Sequence, residues 1–281
     1  MERCVPDRVL EAMLAEDAPF GDLTTRALGI GAQAAGMNFR ARTAMRLAGS
    51  EEAARLIELA GGELLACVPS GSALSAGDVI LQAEGPVAAL HLAWKTAQTL
   101  IEYLSGMASA AAEILDLLHA AGFDLPLACT RKNFPGNRPL ASKAVRAGGA
   151  VAHRLSLSET LLVFPDHRVF VDNVTLPQLF ARMRQQHPEK KLVAEAGDLA
   201  EALWLAQSGA DILQLERFSP DALAECRAAL VAQGSHVLLA PAGGVTLGNA
   251  LAYARAGAVF LVSSAPYFAA PKDVKVTFSA R

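Results

Sequence analysis

From residue 127 onward, short apolar runs alternate with longer helix-like runs, and few folds accommodate that alternation. The apolar runs are 127–130, 151–154, 161–164, 192–196, 212–216, 237–240 and 259–263. Each is too short for a helix and is bounded by turn residues, so each reads as a buried strand. The last four begin at 192, 212, 237 and 259, which leaves room for one helix after each of the first three. The spacers carry helix signals. Asp198 opens a helix to Gln207 that Gly209 closes, and Gly248-Asn249 opens one to Arg255 that Gly257 closes. Consecutive strand–helix units of this kind build a parallel sheet or barrel.

The first ninety residues follow a different pattern. A short amphipathic helix over 6–16 ends at Ala18-Pro-Phe-Gly-Asp-Leu-Thr-Thr25, where Asp22, Thr24 and Thr25 read as a capped turn. Residues 33–49 are partly strand-like. Ser50 is placed to cap a helix over 51–60, with Glu51 and Glu52 in its first turn and Gly61-Gly62 as its stop. Short apolar runs at 64–68 and 79–81 suggest small antiparallel strands, so this part is an α+β unit. Residues 87–121 are helical, with a break expected near Ser105-Gly106. Leu90, Trp94, Ala97, Ile101 and Leu104 form one apolar stripe, and Lys95 lies off it.

Bulk composition excludes several classes. The 281 residues can bury a large core, and a net charge of −3 argues against a general nucleic-acid partner. No apolar run reaches the ~18 residues that span a bilayer. The N-terminal residues lack a signal-peptide core, and four scattered cysteines with no CxxC pair point to reduced cytosolic thiols and no zinc. Cys129 reads as a small buried strand residue.

Against that acidic balance stands a cationic cluster. Arg131, Lys132, Arg138, Lys143, Arg146, His153 and Arg154 fall within 24 positions. Lys143 and Arg146 lie on the intervening helix and read as its solvated face. Arg131, Lys132, His153 and Arg154 end strands. In βα architecture the carboxyl ends of the strands share one face and carry the active site. Those ends are Arg131-Lys132, His153-Arg154, Glu195, Glu216, Gly243-Gly244 and Ser263-Ser264. Cations on the early strands and carboxylates on the middle ones suit a substrate with anionic groups and a cationic or Mg²⁺-bound part. Gly243-Gly244 lets backbone N–H groups approach a phosphate.

Several blocks resemble the quinolinate phosphoribosyltransferase family: residues 16–25, Lys95-Thr-Ala-Gln, Leu104-Ser-Gly-Met-Ala, Thr130-Arg-Lys-Asn-Phe-Pro-Gly-Asn-Arg138, Lys143-Ala-Val-Arg-Ala-Gly-Gly149 and His153-Arg154. Residues 153–164, 240–245 and 263–267 are similar to a pyrophosphorylase branch of that family associated with molybdenum transport. The resemblance implies an α/β chain with a type II phosphoribosyltransferase fold. An N-terminal α/β sandwich domain (1–106, joined by the tail 267–281) would precede an incomplete, TIM-like α/β barrel (107–266). It implies 5-phosphoribosyl 1-diphosphate as donor, a small acceptor, Mg²⁺ with the diphosphate, and a homodimer whose active site takes residues from both subunits.

By position, Lys132, Glu195 and Glu216 match the family's catalytic groups, and Arg131, His153 and Arg154 match those holding the acceptor's carboxylates. Gly243 and Gly244 match the phosphate loop. Arg138, Ser263 and Ser264 complete the expected substrate-binding set. Lys95 stands where the partner subunit usually contributes an arginine, Phe164 where the family has a lysine, and Ala240-Pro-Ala-Gly-Gly where it has Glu-Ala-Ser-Gly-Gly. These departures imply a kept phosphoribosyl site and an acceptor pocket retuned for a less anionic or differently shaped molecule. Two alternatives stay open: a quinolinate phosphoribosyltransferase forming nicotinate mononucleotide for NAD biosynthesis, and a non-catalytic oxyanion or nucleotide binder.

Overall fold

The computed structural model describes residues 1–281. It divides into two compact units: Met1–Ala112 with Asn133–Gly149 and Pro266–Arg281, and Glu113–Lys132 with Ala150–Ala265. The sequence places the division at 106/107, with the tail 267–281 returning to the first part. By packing, the first unit runs on to residue 112 along one long helix and takes in 133–149 and the tail from 266.

In chain order the elements are α1 (Asp7–Asp17), α2 (Leu23–Ala27), β1 (Ala34–Ala41), β2 (Met45–Arg46), α3 (Ser50–Leu59), β3 (Glu63–Cys67), β4 (Ala73–Leu74), β5 (Val79–Pro86) and α4 (Val87–Ala120). There follow β6 (Leu127–Cys129), α5 (Arg138–Ala147), β7 (Val151–Ala152), β8 (Leu161–Val163), α6 (Pro165–Arg168), α7 (Leu176–Gln186), β9 (Leu192–Ala196), α8 (Leu199–Gln207), β10 (Ile212–Glu216), α9 (Pro220–Ala232), β11 (Leu238–Ala242), α10 (Ala250–Ala256) and β12 (Leu261–Ser263). A 3₁₀ turn (Ala265–Phe268) leads to β13 (Val274–Ala280).

The first unit is built on an antiparallel sheet in the order β13-β1-β5-β3. Alternation along β1 turns Ala35, Met37, Phe39 and Ala41 to the core. There they meet Leu56 and Ile57 of α3, Leu90 and Ile101 of α4, and Leu140 and Ala144 of α5. On the other face the amide of Gln82 donates to Asn38. The predicted break in α4 is absent. A Cβ on Gly106 would lie 2.4 Å from the Ala270 carbonyl oxygen, so glycine is required by a close backbone approach and does not end the helix. Ser105 likewise serves packing, its Oγ accepting the Ala48 N–H at 3.0 Å. The cap of α3 also differs from expectation. Gly49, left-handed at φ 84°, is the capping residue, and Ser50 lies buried inside the first turn.

Lys143 is not on a solvated face. Its side chain is 2% exposed, and its Nζ donates to Glu51 Oε2 at 2.8 Å and to Glu52 Oε2 at 2.5 Å. Arg146, one turn away, is exposed as expected. The apolar stripe of α5 (Leu140, Ala141, Ala144, Ala147) and this ion pair together explain why 133–149 belongs to the first unit.

The second unit contains the alternating strands and helices. Its strands pair in parallel in two runs, β12-β6-β7 and β11-β10-β9-β8, and β11 runs beside β12. The result is an incomplete barrel, open between β7 and β8. The interior is packed by Leu162, Val193, Ile212, Ala240, Ala242 and Val262. Local signals shape the connections. Asp198 caps α8 by accepting the Glu201 N–H, Ser219 caps α9 by accepting the Ala222 N–H, and Gly257 ends α10 at φ 99°. Asn249 does not cap α10 with its side chain. No helix is long and apolar enough to cross a membrane.

Lys143→Met should cost about 3–5 kcal/mol in urea unfolding, because it leaves the fully buried Glu52 without its cation. Burial pushes the Glu51 carboxyl up, but hydrogen bonds from Lys143 and Ser70 outweigh it and hold the pKa at about 2, against an ordinary 4.5. A depressed carboxyl contributes stability above its unfolded pKa. That contribution should therefore fade as pH falls from 4.5 toward 2 in the parent and be much reduced in the variant.

Candidate active site

Strand periodicity decides which side chains face the barrel interior. On β10 these are Ile212, Gln214 and Glu216, and on β9 they are Val193 and Glu195. The carboxyl ends of the strands open onto a cavity of about 840 Å³. Of the residues singled out in the sequence, Arg131, Lys132, His153, Arg154, Phe164, Glu195, Glu216, Gly243, Gly244 and Ser264 all line it. Lys95 and Arg138 belong to the first unit. Lys95 is exposed on α4, its Nζ 4.4 Å from the Trp94 ring centroid, and Arg138 opens α5.

Ser263 does not line the cavity. It is buried, its Oγ donating to the Val245 carbonyl at 2.6 Å and accepting the Ala265 N–H. It therefore clamps the glycine turn in place. Asn249 holds the same turn from the other side, donating to the Gly244 carbonyl at 2.9 Å and accepting the Thr246 N–H at 2.7 Å. Gly243 has φ 74°, and a Cβ there would lie 2.3 Å from Glu216 Oε1. A side chain there would displace the Glu216 carboxylate, and the left-handed backbone favours glycine. Gly244, at φ 115°, extends the turn, and its added Cβ would meet nothing.

The two sides of the cavity differ in charge. Arg154 is buried, lies near Arg131, and neither has an ion-pair partner. Burial and then the Arg131 charge push the Arg154 pKa down. Burial, followed by the Arg154 charge, lowers that of His153, which favours a neutral imidazole at neutral pH. Opposite stand Glu195 and Glu216. Burial, then the neighbouring Glu216, raises the Glu195 pKa, while a hydrogen bond from Gln214 opposes the rise. Cations without counter-ions make an anion site, and two carboxylates make a place where positive charge can develop.

Several lining residues escaped the sequence reading. Gln214 is 6% exposed, and its Nε2 donates to Glu195 Oε2 at 2.5 Å, while its Oε1 is buried with no partner. A lone glutamine in an apolar strand run gives no motif signal, but its place two residues before Glu216 puts it on the same face. Arg217 has φ 58°, uncommon for a residue with a side chain, and its N–H donates to the Ala242 carbonyl. Asp166, Thr130 and Thr246 complete the rim. Cys129 lies buried on β6, and burial pushes its thiol to about 12, which fits a packing residue.

An incomplete α/β barrel with cations, paired carboxylates and a glycine turn at its mouth, joined to an α/β sheet domain, is the architecture of a type II phosphoribosyltransferase. Residues 22–105 match the N-terminal domain model of quinolinate phosphoribosyl transferase, and 107–277 match its C-terminal domain model. The chain belongs to the quinolinate phosphoribosyl transferase family, a pentosyltransferase class. It is 45% identical over 257 residues to a Rhodobacter capsulatus protein that bears the name pyrophosphorylase ModD, covering 91% of this chain and 98% of that one. The rat nicotinate-nucleotide pyrophosphorylase (carboxylating) is more distant, 34% identical over 182 residues, covering 65% and 60%. Among solved structures, NadC from Streptococcus pyogenes superposes with a TM-score of 0.87 at 25% identity, covering all of both chains.

Gln214→Leu should move the acid limb of the turnover profile to higher pH. The limb of the parent lies above the ordinary Glu value, since the Glu195 pKa is raised, and the variant removes the one hydrogen bond that opposes that rise. A pH–rate series on both proteins measures the shift; an unmoved limb would show that Glu195 does not govern it.

Proposed function

We propose that this protein transfers a phosphoribosyl group from 5-phosphoribosyl 1-diphosphate to a carboxylate-bearing small acceptor, in a step linked to molybdenum metabolism. The observation that carries the reading is one cavity with the un-neutralised Arg131–Arg154 pair on one side and Glu195 and Glu216 on the other. In such a transfer the bond from the anomeric carbon to the diphosphate breaks as the bond to the acceptor forms, and positive charge develops on the ribose. Glu195 and Glu216 are suited to stabilise that charge, and the arginine forks to grip the acceptor's carboxylate and hold it in line. Lys132, at the exposed rim, suits the departing diphosphate, and the turn at Gly243-Gly244 suits the 5′-phosphate.

Mg²⁺ belongs to this reading as a companion of the diphosphate. No cluster of three or more His, Cys, Asp or Glu forms a ready cage. A Mg²⁺ ion commonly takes one or two carboxylates along with substrate phosphates and water, and Glu195 and Glu216 fit that share. When bound it supplies neutralisation of the leaving diphosphate. The reading also includes a homodimer in which Lys95 reaches the barrel mouth of a neighbouring copy. A cytoplasmic setting accords with four unpaired cysteines. The molybdenum link rests on the ModD name of the relative.

Quinolinate as acceptor is the second reading, favoured by the name of the family whose models match the chain. Phe164 weighs against it. Its ring lines the cavity 5.6 Å from the Arg154 guanidinium, where the family resemblance expects a lysine. Losing a charged partner for one of two carboxylates would cost on the order of 2–5 kcal/mol.

Incubation with the diphosphate donor and a cell extract, followed by mass spectrometry, should reveal a new ribosylated product. Absence of any donor consumption would overturn the transferase reading. With quinolinate in place of extract, CO₂ release should be slow, and Phe164→Lys should raise it by about tenfold or more. Rapid turnover by the parent protein would establish quinolinate instead.

A further inference from the structure

A second cavity adjoins the first. It measures about 530 Å³ and shares Arg131, Arg154, Leu162 and Phe164 with the active-site cavity. The rest of its wall is largely apolar, from Leu157, Val163, Val171, Leu179, Phe180 and Met183. A cavity of ~300–1,000 Å³ is the size that holds a small molecule, so neither space is a packing defect.

Two features make it more than an apolar groove. The first is the arginine pair. Arg131 and Arg154 lie between the two cavities and have no ion-pair partner in the protein. An anion held by that pair is therefore within reach of both spaces. The second is Arg168, which also lines this wall. Its side chain is only 9% exposed and its Nη1 pairs with Glu201, yet its Nε is buried with no hydrogen-bond partner. The guanidinium is turned into the protein, its Nη2 donating to the Glu195 carbonyl at 3.1 Å and its Cζ lying 5.8 Å from the Trp204 ring centroid, so it fixes this wall beside the active-site strand β9. Phe164 lines both spaces, its ring within cation–π reach of Arg154 and stacked at 5.8 Å on His167. His167 accepts the Phe164 N–H through Nδ1, so its neutral form carries the ring hydrogen on Nε2.

We propose that this second cavity is the outer part of the acceptor site, and that the acceptor is an anion with an apolar body larger than a single ring. Its carboxylate lies on Arg131 and Arg154, and its apolar body packs against Val163, Leu179 and Met183. This rests on the acceptor-side reading of the two arginines above. It goes beyond that reading by giving the acceptor its size and apolar character.

Benzoate and its para-phenyl derivative carry the same charge and differ by one ring, so their binding to the full chain by calorimetry, without donor, isolates the second cavity. The larger compound should bind about tenfold tighter or more, as burial of an added aryl ring allows. Met183→Trp, at a half-buried position on α7, fills the cavity and should abolish that gain, so that the two compounds bind alike. Val171→Trp should do the same from the other wall, and either variant must keep the thermal melting of the parent to count. Equal affinity for the two compounds, or a gain that survives both tryptophans, overturns the proposal. Failure of either compound to bind, with donor consumption intact, overturns it as well and singles out the acceptor reading of the arginines; loss of donor consumption would instead strike at the transferase reading.

Discussion

Seven parallel strands ending on one face is the constraint from which the site follows. A strand shows alternate residues to each side, and the parallel register lines those residues up from strand to strand. Gln214 pairs in register with Glu195 on one side and Ala240 on the other. That register brings the Gln214 amide to the Glu195 carboxylate and leaves small alanines beside it, so the middle of the barrel has room and one oriented charge. One layer above, Glu216 stands against the next turn, where a side chain at the left-handed residue 243 would displace its carboxylate. The carboxylates and the glycine turn are thus one arrangement, and Ser263 and Asn249 hold it rigid from behind.

The basic cluster of the sequence meets three different fates, and the contrast is informative. Lys143 is buried with two glutamates and serves stability. Arg146 is solvated. Arg131 and Arg154 face the cavity with no acid to balance them. A protein that buries a cation normally pairs it, as it does at Lys143. An unpaired arginine pair in a cavity is therefore kept for something that arrives from outside. Beside them stands Phe164, a neutral ring that lines both the active-site cavity and the second, apolar one.

Much of this was legible beforehand where chemistry is local. The helix stops at Gly209 and Gly257, the cap at Asp198, and the strand-end positions of Arg131, His153, Glu195 and Glu216 all follow from short-range rules. Three failures share one cause. Gly106 carries the signature of a helix break, yet it answers to a backbone that approaches from residue 270. Lys143 sits at an ordinary helical position, yet its partners are some ninety residues away. Ser263 reads as a polar strand end, yet its hydroxyl is turned to Val245. Each is settled by a contact distant in the chain, which no local pattern records.

The sequence by itself determined the alternating architecture, the face on which the site lies, and the kinds of charge gathered there, because strand period and capping act over a few residues. Only the tertiary structure decided which of those charges stay unpaired, that Gln214 orients Glu195, and that the cationic pair borders two cavities. Pairing and burial depend on what the fold brings near from far along the chain, and the free energy of a buried charge is set by those neighbours.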